Sequence, residues 1–175
     1  MMRRGLDFEV DKITKSIEEI ATGISYPTEV QLITPSELKK IHKKDGWNFN
    51  WKKEYKLKNR EIYKLTIKGT DIIQGLISIE VIPNEYYIEM HLIESAPHNQ
   101  GRNKMFFGVA PNMVAYICKM SFEAGYDGCV AFLAKTSLVE HYREKFGATL
   151  IFGSQRMSIV GPAAKKLVDS YYQSI

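Results

Sequence analysis

Small residues stand together where a loop of this chain turns into a long apolar helix, in the run Gly108-Val109-Ala110-Pro111-Asn112. The first backbone N–H groups of a helix have no partner within it and lie at the positive end of its dipole. Glycine and alanine let a bulky anion approach those groups closely. The run therefore predicts a phosphate site built from backbone, with Lys104 and Arg102 adding charge, although an ordinary helix start gives the same pattern.

A second group with possible chemistry is Tyr142, on a helix predicted from Leu138 to Phe146. Val139, Tyr142 and Phe146 fall at the 3/4 spacing of one helix face, which predicts that this face packs on a sheet. A tyrosine there is either a core residue or a phenol at a cleft, where it would protonate a departing thiolate.

Three titratable residues, Glu89, His91 and Glu94, occupy a predicted strand at 86–95. Burying such groups without partners is costly, so they indicate either a wet sheet face or a reactive site. Strand alternation places Glu89 and His91 on one face and Glu94 on the other, unless a bulge intervenes. As a general base we favour Glu94, which is closest to the following loop, with Glu89 next.

The elements that must position these groups follow from periodicity. Alternating residues predict three antiparallel strands at 62–68, 72–82 and 86–95, with Gly75 marking a bulge. A helix from about 109 to 124 and a short apolar strand at 127–133 then form a β-α-β crossover between parallel strands. The predicted fold class is α/β with a mixed (α+β) sheet, a three-strand antiparallel meander, and helices on both faces.

Further elements flank this unit. An amphipathic helix is predicted from Val10 to Gly23, with Ile17 and Ile20 on its apolar face. A strand at 29–33 and a helix from the Thr34 capping box to about Lys44 follow. Two short strands, 150–152 and 156–160, and a terminal helix at 162–172 come last. The aromatic stretch 47–51 fits neither period.

The glycine-containing run and the tyrosine helix, in this order, resemble the GNAT superfamily of acyl-CoA N-acyltransferases. The family's pyrophosphate loop reads Gln/Arg-x-x-Gly-x-Gly/Ala, and Met105-x-x-Gly108-x-Ala110 fits its small positions. Its later helix carries Tyr-x-x-x-Gly-Phe, and Tyr142-Arg143-Glu144-Lys145-Phe146-Gly147 is similar, with the glycine offset by one residue. The resemblance implies one GNAT-like domain over 1–175, with 1–27 a helical addition and 161–175 a C-terminal helix.

The resemblance also implies roles for individual residues. Acyl-CoA would lie in a V-shaped opening between the strands at 86–95 and 127–133. Tyr142 would protonate the CoA thiolate, and Glu94 or Glu89 would act as the base. The implied cofactor-binding residues are Leu92, Ile93, Ser95, Lys104, Gly108, Val109, Ala110, Asn112 and Lys135. Many family members have an asparagine at the position of Lys135. The lysine in this chain would neutralise a phosphate, bind an acidic substrate, or lie on the surface.

The expected activity is transfer of an acetyl group from acetyl-CoA, or of another acyl group, to a primary amine by direct attack and without a metal. The acceptor, a small molecule or a protein, and the oligomeric state stay open. An acyl-CoA-binding module without turnover is an alternative. A nucleic-acid-associated module is another, because residues 39–68 carry eleven basic and three acidic residues, a net charge of +8.

Composition excludes several other classes. With 45% hydrophobic and 25% charged residues, the chain of 175 residues is typical of a globular protein. No apolar run approaches the roughly 20 residues of a membrane span, and no apolar segment of a secretory signal follows the start. Cys118 and Cys129 fit neither a disulfide framework nor a metal-ligand spacing. We therefore expect a cytoplasmic protein with reduced thiols and no membrane partner.

Overall fold

The computed structural model describes residues 16–151 and 155–172, and its alternating segments form one mixed sheet. The strands are β1 Ser16–Glu19, β2 Ser25–Leu32, β3 Glu61–Ile67, β4 Ile73–Ile82, β5 Tyr87–Ser95, β6 Phe106–Phe107, β7 Val130–Leu133, β8 Thr149–Leu150 and β9 Arg156–Ile159. The helices are α1 Pro35–Leu38, α2 Trp51–Tyr55, α3 Val109–Glu123, α4 Val139–Phe146 and α5 Gly161–Tyr172. Across these residues the strand order is β6-β1-β2-β3-β4-β5-β7-β9-β8.

The meander and the crossover are both present. Strands β3, β4 and β5 pair antiparallel in succession, and β5 pairs parallel with β7 through the intervening α3. Register slips between Leu65 and Thr66, which face Gly75 and Ile73, so the extra residue is Gln74. The bulge expected at Gly75 thus lies one residue earlier. These pairings confirm the predicted fold class.

Helices cover both faces of the sheet because its central strands are apolar on each side. On one face, Met113 and Ile117 of α3 and Leu167 of α5 are buried against the sheet in the larger core. On the other face a smaller core contains Trp51 of α2 and Leu76 of β4. None of the helices between residues 16 and 172 that the structure describes has the length and apolar content needed to cross a bilayer.

The predicted helix at 10–23 is wrong over its second half, and residues before 16 lie outside the described part of the chain. Ser16–Glu19 is strand β1, which pairs with both β2 and β6. Ile17 is 1% exposed, whereas Ile20 is 38% exposed in the turn that follows. A helix face would have buried both side chains, so strand pairing overrides the 3/4 spacing. Residues 25–27, also assigned to a helical addition, belong to β2.

The helix that opens at Thr34 is shorter than predicted. Thr34 and Glu37 form the expected capping box, but α1 ends at Leu38 and not near Lys44. A 3-10 turn at Lys43–Asp45 then redirects the chain. This turn returns Trp47 to the smaller core, where Leu38 is also buried.

Candidate active site

A cleft opens where β5 and β7 separate. The two strands pair from Ile88 with Val130 to Met90 with Phe132, and the Ala134 N–H then donates to the carbonyl of Gln155 at 3.0 Å. Beyond this point lies a cavity of about 570 Å³. Its walls come from residues 90–95 of β5 and from Phe132 and Leu133 of β7. The structure therefore contains the V-shaped opening that the resemblance implies.

The first turns of α3 form one wall of this cleft. Ala110 and Val114, one helical turn apart, both line it. The helix can approach the sheet so closely because β4 has a glycine here: a Cβ on Gly75 would lie 2.7 Å from Met113 and 2.8 Å from Val109. Gly75 thus allows the backbone of β4 to lie close to α3. This close contact places the start of α3 beside the opening.

The backbone groups at the start of α3 divide into used and unused donors. The Asn112 N–H donates to the Gly108 carbonyl at 3.0 Å, which is the first bond within the helix. Pro111 has no N–H, so Val109 and Ala110 contribute the first-turn donors that have no partner within α3. Gly108 precedes them with a φ of +90°, a left-handed conformation that favours glycine. The predicted phosphate site therefore contains fewer backbone donors than the run from Gly108 to Asn112 suggested.

Asn112 has a structural position, because its N–H is used within α3 and its side chain bonds to neighbouring strands. Its buried side chain donates to the Ser16 carbonyl at 3.0 Å and lies 3.4 Å from the Thr28 hydroxyl. These contacts join α3 to β1 and β2. Gly108 is not among the residues that line the cleft, and a Cβ there would lie 4.0 Å from the Ser16 carbonyl oxygen.

A bulge at His91 decides which residues of β5 share a face. Ser78 of β4 pairs with Leu92, and its neighbour Ile79 pairs with Met90, so His91 is the extra residue. Met90 packs in the larger core, whereas Leu92 packs against the smaller core on the opposite face. The bulge therefore returns Glu94 to the face that carries α1 and α2. Strand alternation alone placed it on the other face.

Glu94 lines the cleft and anchors the segment that closes one end of it. Its carboxylate accepts hydrogen bonds from the Asn48 N–H at 2.6 Å, the Phe49 N–H at 3.2 Å and the Trp51 Nε1–H at 2.9 Å. Gln100 Nε2 donates a further bond at 3.3 Å. Asn48 and Phe49 line the cleft, whereas Trp51 is buried in the smaller core. The aromatic stretch 47–51 thus lines the cleft with some of its residues and packs in the smaller core with others.

We expect Glu94→Ala to lower the free energy of unfolding by about 2–4 kcal/mol, because it leaves buried N–H donors without an acceptor. Urea denaturation followed by tryptophan fluorescence measures this loss. Glu94→Gln keeps one acceptor oxygen and should lose less. Glu144→Ala, at an exposed position of α4, is the control and should change stability by less than about 0.5 kcal/mol. Equal stability of the Glu94→Ala and Glu144→Ala variants would contradict the anchoring role.

Glu89, the second predicted candidate for the base, is not among the residues that line the cleft. Its carboxylate forms a two-point ion pair with Arg156 of β9, with one contact, from Nη1 to Oε2, at 3.0 Å. Glu89 also sits in the segment where β5 still pairs with β7. Arg156 therefore neutralises its negative charge, at a position where β5 and β7 are still paired.

The backbone of β5 presents polar groups to the opening at alternate residues. The Ala96 N–H donates to the Gln74 carbonyl at 2.9 Å, which sets the alternation of the antiparallel β4–β5 ladder. Ile93 and Ser95 then direct their N–H and C=O groups away from β4 and toward the cleft. Leu92 directs its own toward β4. Of the three predicted pantetheine contacts, Ile93 and Ser95 therefore have backbone groups on the cleft side, and the Ser95 carbonyl already accepts from Gln100.

Gln100 is a cleft residue that sequence reasoning missed. Its Nε2 donates to the Ser95 carbonyl at 2.7 Å, in addition to its bond to Glu94. Asn99 beside it donates to the Gln74 carbonyl at 3.1 Å and accepts from the Phe106 N–H at 3.1 Å, which holds the loop. Loop polar residues carry no periodic signal, so only the three-dimensional contacts identify Gln100.

Tyr142 lies at the far side of the cleft from α2. Its ring packs edge-on to Phe132 at 5.2 Å and stacks on Phe146 at 6.0 Å, measured between ring centroids. It lines the cavity, and its ring also packs against the larger core. Burial raises the pKa of the phenol above its ordinary value, so it stays protonated at neutral pH.

Two lysines give the cleft positive charge. Lys104 and the exposed Lys135 both line it, and the Lys104 ammonium lies 5.1 Å from the centroid of the Phe107 ring. A cation beside partly buried backbone donors favours an anionic ligand. Of the predicted site residues, the cleft brings together Leu92, Ile93, Glu94, Ser95, Lys104, Ala110, Lys135 and Tyr142, and leaves out Glu89, Gly108, Val109 and Asn112.

Comparison with solved structures identifies the fold. The spermidine N-acetyltransferase from Vibrio cholerae in complex with CoA and spermine aligns over 79% of this chain and 98% of its own, at 15% identity and a TM-score of 0.55. A dodecameric structure of the spermidine N-acetyltransferase from Vibrio cholerae in an intermediate state aligns over 76% and 93%, at 16% identity and a TM-score of 0.53. Scans of the sequence against protein-family models and curated proteins find no match.

This likeness shows that the chain has the fold of the GNAT acetyltransferases, as its motifs and strand order predicted. The strand split, the start of α3 beside it and the tyrosine of α4 are the parts of that fold that carry the candidate site.

Proposed function

We propose that this protein is an N-acyltransferase that moves an acetyl group from acetyl-CoA to a primary amine by direct attack. The observation that carries the proposal is the cleft between β5 and β7. It joins the start of α3, the unpaired edge of β5 and the Tyr142 phenol in one cavity. The fold shared with N-acetyltransferases supports the same reaction class.

Each part of acetyl-CoA has matching groups along the cleft. The diphosphate would lie at the first turn of α3, where Ala110 lines the cleft and contributes an N–H donor and Lys104 contributes charge. The two amides of the pantetheine arm would extend β5 by pairing with the N–H and C=O of Ile93 and the N–H of Ser95, in the manner of an added strand. The thioester would then lie between β5 and α4, close to Tyr142.

The chemistry needs a neutral amine and a protonated leaving group. The amine lone pair attacks the thioester carbonyl carbon, and a backbone N–H of the splayed β5 stabilises the developing oxyanion. The C–S bond then breaks, and the Tyr142 hydroxyl gives its proton to the thiolate. The amide nitrogen gives its remaining extra proton to the Tyr142 phenolate, and the ammonium proton removed at the start goes to solvent. The products are the amide and CoA thiol.

The acceptor would enter at the end of the cleft formed by Asn48, Phe49 and Glu94. The Glu94 carboxylate gives this end a negative charge, which attracts an ammonium group. Because one structural neighbour is a spermidine N-acetyltransferase in complex with spermine, polyamines are the first acceptors to test. Lysine peptides, protein N-termini and aminoglycosides complete the panel.

The decisive experiment has two parts. Native mass spectrometry of the purified protein with added acetyl-CoA tests for a bound complex, and release of free CoA thiol in the presence of each amine tests for turnover. We expect one-to-one binding and amine-dependent thiol release. Binding without release for every amine would leave a silent acyl-CoA-binding module, and absence of binding would contradict the proposal altogether.

A further inference from the structure

We propose that His91, held by Glu80, is the general base that deprotonates the acceptor amine. This inference rests on the proposed acyl transfer and adds the group that the reaction still lacks. His91 is the extra residue of the β5 bulge and lines the cleft beside the point where the strands separate.

The hydrogen bond to Glu80 sets the protonation of the ring. His91 Nε2 lies 3.0 Å from Glu80 Oε1, and an ionised carboxylate only accepts hydrogen bonds. In the neutral imidazole the proton therefore resides on Nε2, and Nδ1 carries the lone pair. A carboxylate behind the ring also stabilises the imidazolium that forms when Nδ1 takes a proton. This is the arrangement of an oriented histidine base.

Glu80 is itself held by a network of hydrogen bonds between charged and polar side chains. Arg60 Nη1 donates to Glu80 at 3.0 Å, and Arg60 Nε donates to Glu54 at 3.1 Å. The Ser78 hydroxyl adds a bond to Glu54 at 2.6 Å. Glu54 and Ser78 are buried. The network holds the carboxylate in place against the ring of His91, so the histidine is oriented before substrate arrives.

The two carboxylates of β5 are already bound by other groups. Glu89 is paired with Arg156 and lies outside the cleft. Glu94 reaches the cleft, but three donors of residues 48–51 and Gln100 occupy its oxygens. His91 combines a cleft position with a ring nitrogen whose lone pair the Glu80 bond leaves available. Among the described residues of β5 it is the best placed proton acceptor.

The proton balance is complete with His91 in this role. An N–H bond of the substrate ammonium breaks, directly or through one water, and the proton binds Nδ1 of His91. The neutral amine attacks the thioester carbonyl, the C–S bond breaks, and Tyr142 protonates the sulfur. The amide nitrogen loses its remaining extra proton to the Tyr142 phenolate, and the imidazolium releases its proton to water, which restores both side chains.

The main test compares His91→Gln with the wild type under saturating acetyl-CoA. Glutamine can still donate to Glu80 but cannot act as a base, so we expect kcat/KM for the amine to fall about 100-fold while the Kd for CoA changes less than twofold. Glu80→Gln removes only the orienting charge and should lower kcat/KM about tenfold. His42→Gln is the matched control, because His42 also contacts a charged side chain, Lys52 at 3.0 Å, and lies outside the cleft. It should keep full activity.

Two further readouts separate chemistry from structure. Free imidazole should restore at least tenfold activity to His91→Ala and leave the wild type unchanged. The loss in His91→Gln should shrink for acceptor amines of low pKa, which are already neutral and need no base. Retention of more than half the wild-type kcat/KM in His91→Gln overturns the proposal. So does a loss that imidazole does not relieve and that is equal for all amines. Inactivity of the wild type with every amine would instead contradict the proposed function.

Discussion

Reversing the charge of Lys104 in a Lys104→Glu variant should weaken CoA binding at least 100-fold. At about 5 Å and an effective dielectric constant near 20, one pair of unit charges interacts by roughly 3 kcal/mol, and the substitution replaces attraction by repulsion. Lys104 lines the cleft near Ala110, where the proposed diphosphate would meet the first turn of α3. Isothermal titration calorimetry with CoA measures the change, which should diminish at high salt because ions screen the interaction.

Three controls define this result. Lys104→Met removes the charge without reversing it and should lose about half as much binding free energy. Lys119→Glu reverses a charge on the exposed side of α3, where Lys119 pairs with Glu123 at 3.1 Å, and should bind CoA like the wild type. Thermal unfolding without ligand shows whether loss of the contact between Lys104 and the Phe107 ring destabilises the fold. Equal CoA affinity in the Lys104→Glu and Lys119→Glu variants would place the anion elsewhere.

Local signals account for the parts of the fold that the sequence predicted well. The alternation in β3, β4 and β5 and the capping box at Thr34 depend on neighbouring residues only, and the structure contains all of them. The crossover followed from the length and apolar character of α3 between two strands. The predicted opening between β5 and β7 came from the family resemblance, and strand register confirms it.

The predictions are wrong where pairing with distant parts of the chain determines the local structure. Ile17 becomes a strand residue because β1 pairs with β2 on one side and with β6 on the other. The sequence does not predict β6, because the two residues Phe106–Phe107 are too few for a periodic signal. That pairing also explains why the connection from Ser95 to Ala110 is long: the chain crosses to the far edge of the sheet before α3 begins.

The bulge at His91 had the largest effect on the site. One extra residue reverses the facing of every later side chain in β5, so alternation alone places Glu94 on the wrong face of the sheet. The partners that settle the roles of Glu89 and Glu94 are Arg156 and Trp51, each more than 40 positions away in the sequence. No pattern within β5 itself could have identified them.

Replacing Tyr142 by phenylalanine should lower kcat at least tenfold and leave the Kd for CoA within about twofold. The substitution removes only the hydroxyl, while the ring contacts with Phe132 and Phe146 remain, so the fold and the cleft wall are preserved. Without the phenol the thiolate must leave unprotonated or take a proton from water. General acids of this kind contribute about 10²- to 10⁴-fold, which corresponds to about 2.7–5.4 kcal/mol. Stopped-flow detection of thiol release separates this step from acetyl-CoA binding.

The choice of acyl donor sharpens this experiment. A thioester whose thiol is more acidic than CoA gives a more stable thiolate, which needs less help from an acid. The ratio of wild-type to Tyr142→Phe activity should therefore fall as the leaving thiol becomes more acidic. Tyr26→Phe, on β2 and outside the cleft, is the control for loss of a tyrosine hydroxyl. A ratio that stays constant across donors would mean that Tyr142 orients the substrate and that another group, or solvent, protonates the sulfur.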